Sequence, residues 1–138
     1  MSFRNLLINL RGALRDKEFK QIPQLSASHN IDIDSKFEIV PGAENFIGTK
    51  RAVLVGINYV GQKNALSGCH NDVYNMKRYL MNAHGFEEEH IVELIDDGKH
   101  DDKKPTKANI LSALRQIVVE SKPGDCVFFH YAGHGGRV

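Results

Sequence analysis

The stretch S-K-P-G-D-C-V-F-F-H-Y-A-G-H-G-G-R at residues 121–137 decides the fold. Residues 122–125 are typical of a turn, because proline and glycine interrupt regular structure and favour turn geometry. The apolar run at 126–129 is short enough to be a buried strand of a parallel sheet. His134 follows among glycines, where little would crowd its side chain, and a histidine can exchange protons near neutral pH. The segment therefore predicts a buried strand that leads to a reactive histidine.

Strands and helices alternate upstream of this segment, starting at Lys50. The apolar runs at 52–57 and 91–95 predict two more strands. Between them lies a predicted helix whose apolar side is Val73, Met76, Leu80 and Ala83, and which Gly85 ends. A second helix begins at 105–106, with an apolar face made of Ile110, Leu111, Leu114, Ile117 and Val118. Strands separated by helices predict an α/β fold with a mostly parallel sheet and helices on its faces.

The first forty residues have a different pattern. Apolar residues recur with helical spacing at Phe3, Leu6, Leu7, Leu10 and Leu14, and Ser2 is a candidate N-cap. A short strand is predicted at 37–40 and a linker at 41–49, where Pro41-Gly42 interrupts regular structure.

Composition excludes several classes of protein. The 138 residues suit one domain or part of one. Eighteen basic and seventeen acidic residues give a net charge of +1, so we expect no nucleic-acid partner. No apolar run approaches the ~20 residues of a membrane span, so we expect no membrane partner. Two cysteines give no disulfide framework, and a cytoplasmic location is the expectation.

Two polar loops are expected to meet at one edge of the sheet. Residues 68–72 lie beyond the first strand, and residues 130–136 lie at the end of the third. Because ligands of open α/β sheets bind beyond the carboxyl ends of the strands, both loops should border one crevice. Cys69, Asp72 and His134 would then share it, if the two strands are neighbours. The charge run at 96–104 is interpreted as a solvated loop.

Four motifs in this order resemble the metacaspases, cysteine peptidases related to the caspases. They are R-A-V-L-V-G-I-N-Y at 51–59, A-L-S-G-C-H-N-D-V at 65–73, P-T-K-A-N-I at 105–110 and K-P-G-D-C-V-F-F-H-Y-A-G-H-G at 122–135. The resemblance implies a caspase-like three-layer αβα sandwich, incomplete in this chain. It also implies a cysteine endopeptidase.

The resemblance assigns roles residue by residue. His134 resembles the catalytic histidine, which assists a cysteine thiolate and protonates the leaving amine. Gly135 resembles the backbone contribution to the oxyanion hole. Asp72, with Cys69 beside it, resembles an acidic wall of the pocket that selects Arg or Lys before the cleaved bond. Protein or peptide substrates with those residues are therefore expected.

The N-terminal segment resembles the end of the family's small subunit. The matching pieces are at 2–14, 23–29 and 34–39, and they precede the large subunit as in type III metacaspases. The expected organisation is a small-subunit segment at 1–40, a linker at 41–49 and the first part of the large subunit at 50–138. The remaining large-subunit and small-subunit segments are the expected partners.

The family's nucleophile lies downstream of the histidine, beyond Val138. We therefore expect a piece of a longer protein that is inactive alone. The family's calcium ligands also lie downstream, so Ca²⁺ is possible in the parent, and no cofactor or metal ligand is assigned in this chain. The alternative is a non-catalytic pseudo-protease or regulatory fragment that pairs with an intact metacaspase.

Simpler interpretations remain open for several residues. Asp72 could cap the following helix, and Cys69 could be a small buried apolar group or a nucleophile. His130 is interpreted as structural, with a hydrogen bond to a neighbour. His130 and His134 are four apart, but a strand and a glycine loop would not place them on one helical face, so a zinc site is disfavoured. Processing at Lys103 or Lys104 is a further hypothesis.

Overall fold

The computed structural model describes residues 1–37, 47–99 and 103–135. The chain forms two compact units, Met1–Pro41 and Gly42–Val138, which are described separately. None of the helices in the described ranges is both long enough and apolar enough to cross a membrane.

Within the described part of the first unit, residues 1–37, there is one helix, α1, at Phe3–Asp16. Ser2 caps it as predicted, since its hydroxyl accepts a hydrogen bond from the Asn5 N–H at 3.2 Å. The ring of Phe3 meets that of Phe37 edge to face, with centroids 5.4 Å apart. The predicted apolar face is half-buried except at Leu10, which is 45% exposed. Most of the strand predicted at 37–40 falls outside the described residues, and Phe37 itself is not in a strand.

The second unit is built on a three-stranded sheet, and every strand in it is parallel, as predicted. The strands are β1 at Lys50–Gly56, β2 at Ile91–Ile95 and β3 at Cys126–Ala132, and their order in the sheet is β2-β1-β3. Strand β1 is the centre of the sheet, and five of its residues in a row, 52–56, are buried. Strand β3 extends beyond the apolar run at 126–129, so His130 lies inside the strand, level with Leu54.

Two helices connect the strands. Helix α2 occupies Cys69–His84 and ends at Gly85, whose left-handed conformation (φ +65°) is the one a glycine C-cap supplies. Helix α3 occupies Lys107–Glu120, and the hydroxyl of Thr106 accepts the Asn109 N–H at 3.1 Å as its N-cap. A short 3₁₀ helix at Glu88–His90 leads into β2.

The helices cover opposite faces of the sheet. Val53 and Val55 of β1 pack with Ala113 and Ile117 of α3. Gly56 faces the other way, and a Cβ there would lie 2.6 Å from the carbonyl oxygen of Cys69 in α2. Because successive residues of a strand point to opposite faces, α2 and α3 lie on either side. The predicted three-layer αβα arrangement is confirmed.

The predicted apolar face of α3 is wrong at two positions. Leu111 is 40% exposed and Val118 is 70% exposed, whereas Ile110, Leu114 and Ile117 pack on the core as expected. The buried face of α3 also includes Ala113. Ile110, Ala113, Leu114 and Ile117 then follow one another at offsets of 0, 3, 4 and 7, the spacing of one helical face. Leu111 and Val118 each follow a core residue, about 100° further around the helix, and this rotation takes them to the exposed side.

A turn and a carboxylate fix the amino end of β3. Gly124 has φ +94°, and the Asp125 N–H donates to the carbonyl of Lys122, so residues 122–125 form the predicted turn, with features of type II. The carboxylate of Asp125 accepts the backbone N–H of Thr49 at 2.8 Å and a guanidinium N–H of Arg51 at 2.6 Å. Asp125 thereby joins the starts of β1 and β3.

Candidate functional site

The candidate site lies where the three strands end. The loop after β1 carries Asn58 and Tyr59, Asp96 directly follows β2, and His134 comes two residues after β3. Since the strands are parallel neighbours, these residues converge on the carboxyl edge of the sheet, where open α/β sheets bind ligands.

Asp96 holds the loop after β1 from both sides of Tyr59. One carboxylate oxygen accepts the Asn58 N–H at 2.8 Å, and the other accepts the Val60 N–H at 3.3 Å. The first oxygen also contacts Nε2 of His70 at 2.6 Å, and this nitrogen is the donor because the carboxylate accepts. Burial alone would raise the pKa of Asp96, but these hydrogen bonds bring the pKa below its usual value. The interpretation of residue 96 as part of a solvated loop is therefore wrong.

Tyr59 has an unusual backbone conformation. Its φ of +54° lies in the left-handed region, which costs a residue other than glycine about 1–3 kcal/mol and persists only where surrounding contacts impose it. The hydrogen bonds of Asp96 to the two flanking residues are such contacts. They direct the phenol of Tyr59 toward the loop after β3.

Two tyrosine hydroxyls contact the backbone of His134, and they also contact each other. Its N–H donates to the hydroxyl oxygen of Tyr59 at 3.2 Å, and its carbonyl accepts the hydroxyl proton of Tyr131 at 3.3 Å. The two hydroxyls are 3.3 Å apart. Because the proton of Tyr131 is committed to a carbonyl, Tyr59 must donate to Tyr131, which closes a ring of hydrogen bonds. The neighbouring phenol of Tyr59, together with burial, raises the pKa of Tyr131 to about 12.

The imidazole of His134 is oriented by two further contacts. Its Nε2 lies 2.7 Å from the carbonyl oxygen of Asn64, and its ring lies against that of Tyr59, with centroids 4.7 Å apart. A carbonyl can only accept, so Nε2 carries the hydrogen and, in the neutral ring, Nδ1 keeps the lone pair. His134 is therefore arranged to receive a proton at Nδ1.

Cys69 is the first residue of α2 and is only 6% exposed. Its N–H donates to the side-chain oxygen of the buried Asn58 at 3.0 Å, so a residue from the preceding loop satisfies the start of the helix. Burial raises the pKa of the Cys69 thiol, and the negative charges of Asp72 and Asp96 raise it further. The thiol is therefore a poor nucleophile in this structure.

Asp72 lies exposed in the first turn of α2. It is close enough to influence both Cys69 and His130 electrostatically. His130 points to the face that α2 covers; burial lowers the pKa of its imidazole, and the charge of Asp72 opposes that shift. Nε2 of His130 is buried and has no hydrogen-bond partner among the described residues, so the expected hydrogen bond is missing at that atom.

The glycines around His134 differ in their surroundings. A Cβ on Gly133 would lie 2.7 Å from the hydroxyl of Tyr131, so only a glycine lets that hydroxyl reach the carbonyl of His134. Gly135 is exposed, and no atom of the described residues outside its immediate chain neighbours lies within 4 Å of a Cβ placed there. The oxyanion role of Gly135 stays a prediction.

Sequence reasoning missed the residues that contact the histidine, which are Tyr59, Tyr131 and Asn64, and the pair that holds the loop of Tyr59, which is Asp96 with the imidazole of His70. Two signals were available. Asn58 and Tyr59 follow directly after the predicted first strand, and Asp96 is the first polar residue after the second. The property that identifies site residues is a position just beyond the carboxyl end of a strand, and these residues have it as well as those of the loop that carries His134.

Comparison with known proteins identifies the family. A family profile described as "Metacaspase, peptidase C14 domain" matches residues 50–138. Together with the three-layer fold, this match defines a caspase-like α/β domain.

Individual relatives agree with that class. "Metacaspase III c" of Phaeodactylum tricornutum is 50% identical over 139 aligned residues, which cover 100% of this chain and 40% of the relative. "Metacaspase-1A" of Aspergillus oryzae is 51% identical over 90 residues, covering 65% of this chain and 22% of that protein. The chain belongs to the metacaspase family, as its motifs indicated, and spans well under half the length of these relatives.

Proposed function

We propose that this chain is the histidine-bearing part of a cysteine endopeptidase that cleaves proteins after Arg or Lys. The observation that carries the proposal is the arrangement of His134, whose Nε2–H is held by the carbonyl of Asn64 so that Nδ1 can accept a proton. Membership of the metacaspase family supports the same assignment. The proposed location is the cytoplasm.

In the proposed reaction, His134 takes the proton of a cysteine thiol, and the thiolate attacks the carbonyl carbon of the substrate. The C–N bond then breaks, the amine leaves with the proton from His134, and a thioester remains. Water hydrolyses the thioester, again with His134 as the base. Gly135 would donate its N–H to the oxyanion that forms in each step.

The thiol in this proposal comes from sequence outside these 138 residues. Cys69 is buried, with a raised pKa, and its N–H is used to start a helix. Cys126 is buried at the opposite end of β3 from His134, and burial raises its pKa as well. Neither thiol therefore has the exposure and low pKa of a reactive cysteine.

Asp72 is proposed to bind the Arg or Lys side chain that precedes the cleaved bond. Its exposure in the first turn of α2 supports this role, because the carboxylate is available for a charge-assisted hydrogen bond. An arginine could bind it through two parallel hydrogen bonds.

Calcium is proposed only for the parent protein. Among the described residues, the one grouping that could hold a metal ion is Glu87, Glu89 and His90. It precedes β2, at the opposite edge of the sheet from His134, and exposed acidic groups are common without an ion. These residues do not fit a cation at the reacting centre, and no step is assigned to one.

The test is peptide hydrolysis by the longest open reading frame that contains this chain. It should cleave peptides with Arg or Lys before the scissile bond, and not matched peptides with Asp there. His134→Ala should abolish turnover and Cys69→Ala should retain it. Asp72→Asn should weaken Arg and Lys selection. The proposal fails if His134→Ala leaves the rate unchanged, or if Cys69→Ala alone removes it. The 138-residue chain by itself should show no turnover.

A non-catalytic regulatory fragment is the second candidate, and one observation favours it. Within the described residues β3 pairs only with β1, so its outer edge is open to a further strand. Val127, Phe129 and Tyr131 on one side of β3 are also half-exposed. Purified 138-residue chain should then form a stoichiometric complex with an intact metacaspase. A chain that stays monomeric in that mixture would eliminate this candidate.

A further inference from the structure

We propose that Asp96, supported by His70, is a positioning residue for the histidine. Asp96 fixes Tyr59 in its left-handed conformation, and Tyr59 in turn fixes His134. The inference rests on the proposed function, because it assigns Asp96 a part in the same site.

The first step is the attachment of Asp96 to the loop after β1. Its two oxygens accept the N–H groups of Asn58 and Val60, the residues on either side of Tyr59. Nε2 of His70, in the first turn of α2, donates to the same carboxylate at 2.6 Å. Asp96 is attached to the end of β2 through the chain, and His70 connects its carboxylate to α2. These two attachments keep the carboxylate in place if the loop after β1 moves.

The second step is the conformation that this attachment imposes. Tyr59 has φ +54°, which a tyrosine adopts only when its neighbours force it. Hydrogen bonds to a charged group are stronger than neutral ones, so ionised Asp96 is suited to that task. An asparagine at position 96 would keep one oxygen but would present an N–H₂ group to a backbone N–H. One of the two hydrogen bonds to the residues that flank Tyr59 would then be lost.

The third step links Tyr59 to the imidazole. The Tyr59 hydroxyl accepts the His134 N–H at 3.2 Å, and its ring lies against the imidazole, with centroids 4.7 Å apart and ring planes tilted by 33°. If Tyr59 returned to an ordinary conformation, both contacts would be lost together. His134 would then keep the carbonyl of Asn64 and the hydroxyl of Tyr131, but not the surface against which its ring lies.

The nearby Asp97 provides a matched control. It is also a half-buried carboxylate just after β2, but it accepts a hydrogen bond from the Lys99 N–H within its own turn. Asp97→Asn therefore makes the same chemical change one position away without touching Tyr59. A carboxylate that served only general stability would give no difference in the histidine signals between the two variants.

The experiment has a spectroscopic part and a kinetic part. In the 138-residue chain, the ¹H–¹³C resonances of the His134 ring, assigned with His134→Ala, should shift in Asp96→Asn and in Tyr59→Phe. They should stay in place in Asp97→Asn. In the longer reading frame, Asp96→Asn should lower kcat by about 10- to 100-fold, the effect of misplacing a reacting group by about 1 Å. KM should change by less than about twofold, because substrate binding is not altered.

Unchanged His134 resonances in both Asp96→Asn and Tyr59→Phe would overturn the proposal. So would equal kcat losses in Asp96→Asn and Asp97→Asn. If Asp96→Asn does not fold, the test uses Tyr59→Phe and His70→Gln instead. The proposal is then refuted if both variants leave the His134 resonances unchanged. If the longer protein has no peptidase activity, the proposed function fails, while the resonances still decide whether Asp96 positions the histidine.

Discussion

Replacing Gly56 with alanine should displace the helix that carries Cys69 and Asp72. The new Cβ would lie 2.6 Å from the Cys69 carbonyl oxygen and 2.7 Å from a methyl carbon of Val73. Carbon–oxygen contacts are normally at least about 3.3 Å, and carbon–carbon contacts about 3.5–4.0 Å. The first turn of α2 must therefore move away from β1 by roughly 0.7–1 Å. One of the two clashing atoms belongs to the backbone, so a change of rotamer cannot remove the overlap.

The expected cost is about 2 kcal/mol in the free energy of unfolding, within the usual range for overpacked cores. Alanine favours regular structure over glycine by roughly 0.5–1 kcal/mol, which offsets only part of it. With a urea slope of about 2 kcal/mol per M, the midpoint should fall by about 1 M. Helical circular dichroism follows the transition, since the chain has no tryptophan.

Gly68→Ala is the matched control. It makes the same substitution one residue before α2, where nothing lies within 4 Å of the new Cβ and φ is −104°. Its unfolding free energy should fall by no more than about 1 kcal/mol, because Gly68 is the N-cap of α2 and alanine is a poorer N-cap than glycine. Labelling by a maleimide should become faster at Cys69 in Gly56→Ala and change less at Cys126. Equal midpoints for the two glycine variants would refute the close-approach reasoning.

Three further predictions follow from the charges and the thiol. Asp96 and Asp125 have pKa values lowered by hydrogen bonds, so their stabilisation is complete above the unfolded pKa of about 4 and is lost as pH falls through the lower folded values. Urea midpoints should therefore drop between pH 5 and pH 2, and less steeply in Asp125→Asn. Lys77→Met leaves the half-buried Glu93 without its 2.8 Å ammonium partner and should cost about 1–2 kcal/mol, against little change in the exposed control Lys99→Met. Iodoacetamide should alkylate Cys69 more slowly at pH 7 than a free cysteine, because burial raises its pKa; an equal rate would contradict the buried position.

The sheet was predictable because its strands are short apolar runs with turn residues at their ends. Parallel order followed from the helices between them, and Gly85 marked the end of α2 where the structure has it. The apolar side of α3 was less certain, since Leu111 and Val118 extend the hydrophobic pattern to a side that the core does not reach. Which side of α3 is buried depends on the residues that pack against it in the folded chain, and hydrophobic periodicity contains no information about those residues.

The site was predictable only in part. His134 and Asp72 stand in recognisable motifs, but the partners of the histidine come from loops that no local pattern connects. Asp96 looked like the start of a charged surface loop, although backbone N–H groups surround its carboxylate. The left-handed Tyr59 was also hidden, because tyrosine has no intrinsic preference for that conformation and tertiary contacts impose it.

The central position of β1 has a consequence for the order of folding. Ala52 of β1 pairs with Ile91 of β2, whereas Lys50 of β1 pairs with Cys126 of β3. The chain segment that must be closed to pair β3 with β1 is about twice as long as the one for β2. Each doubling of loop length adds about 0.6 kcal/mol to the entropic part of the free energy of closure. During synthesis β3 also leaves the ribosome after β1 and β2. The unit β1–α2–β2 can therefore assemble early, and the two tyrosine hydroxyls can contact the backbone of His134 only after β3 has paired with β1.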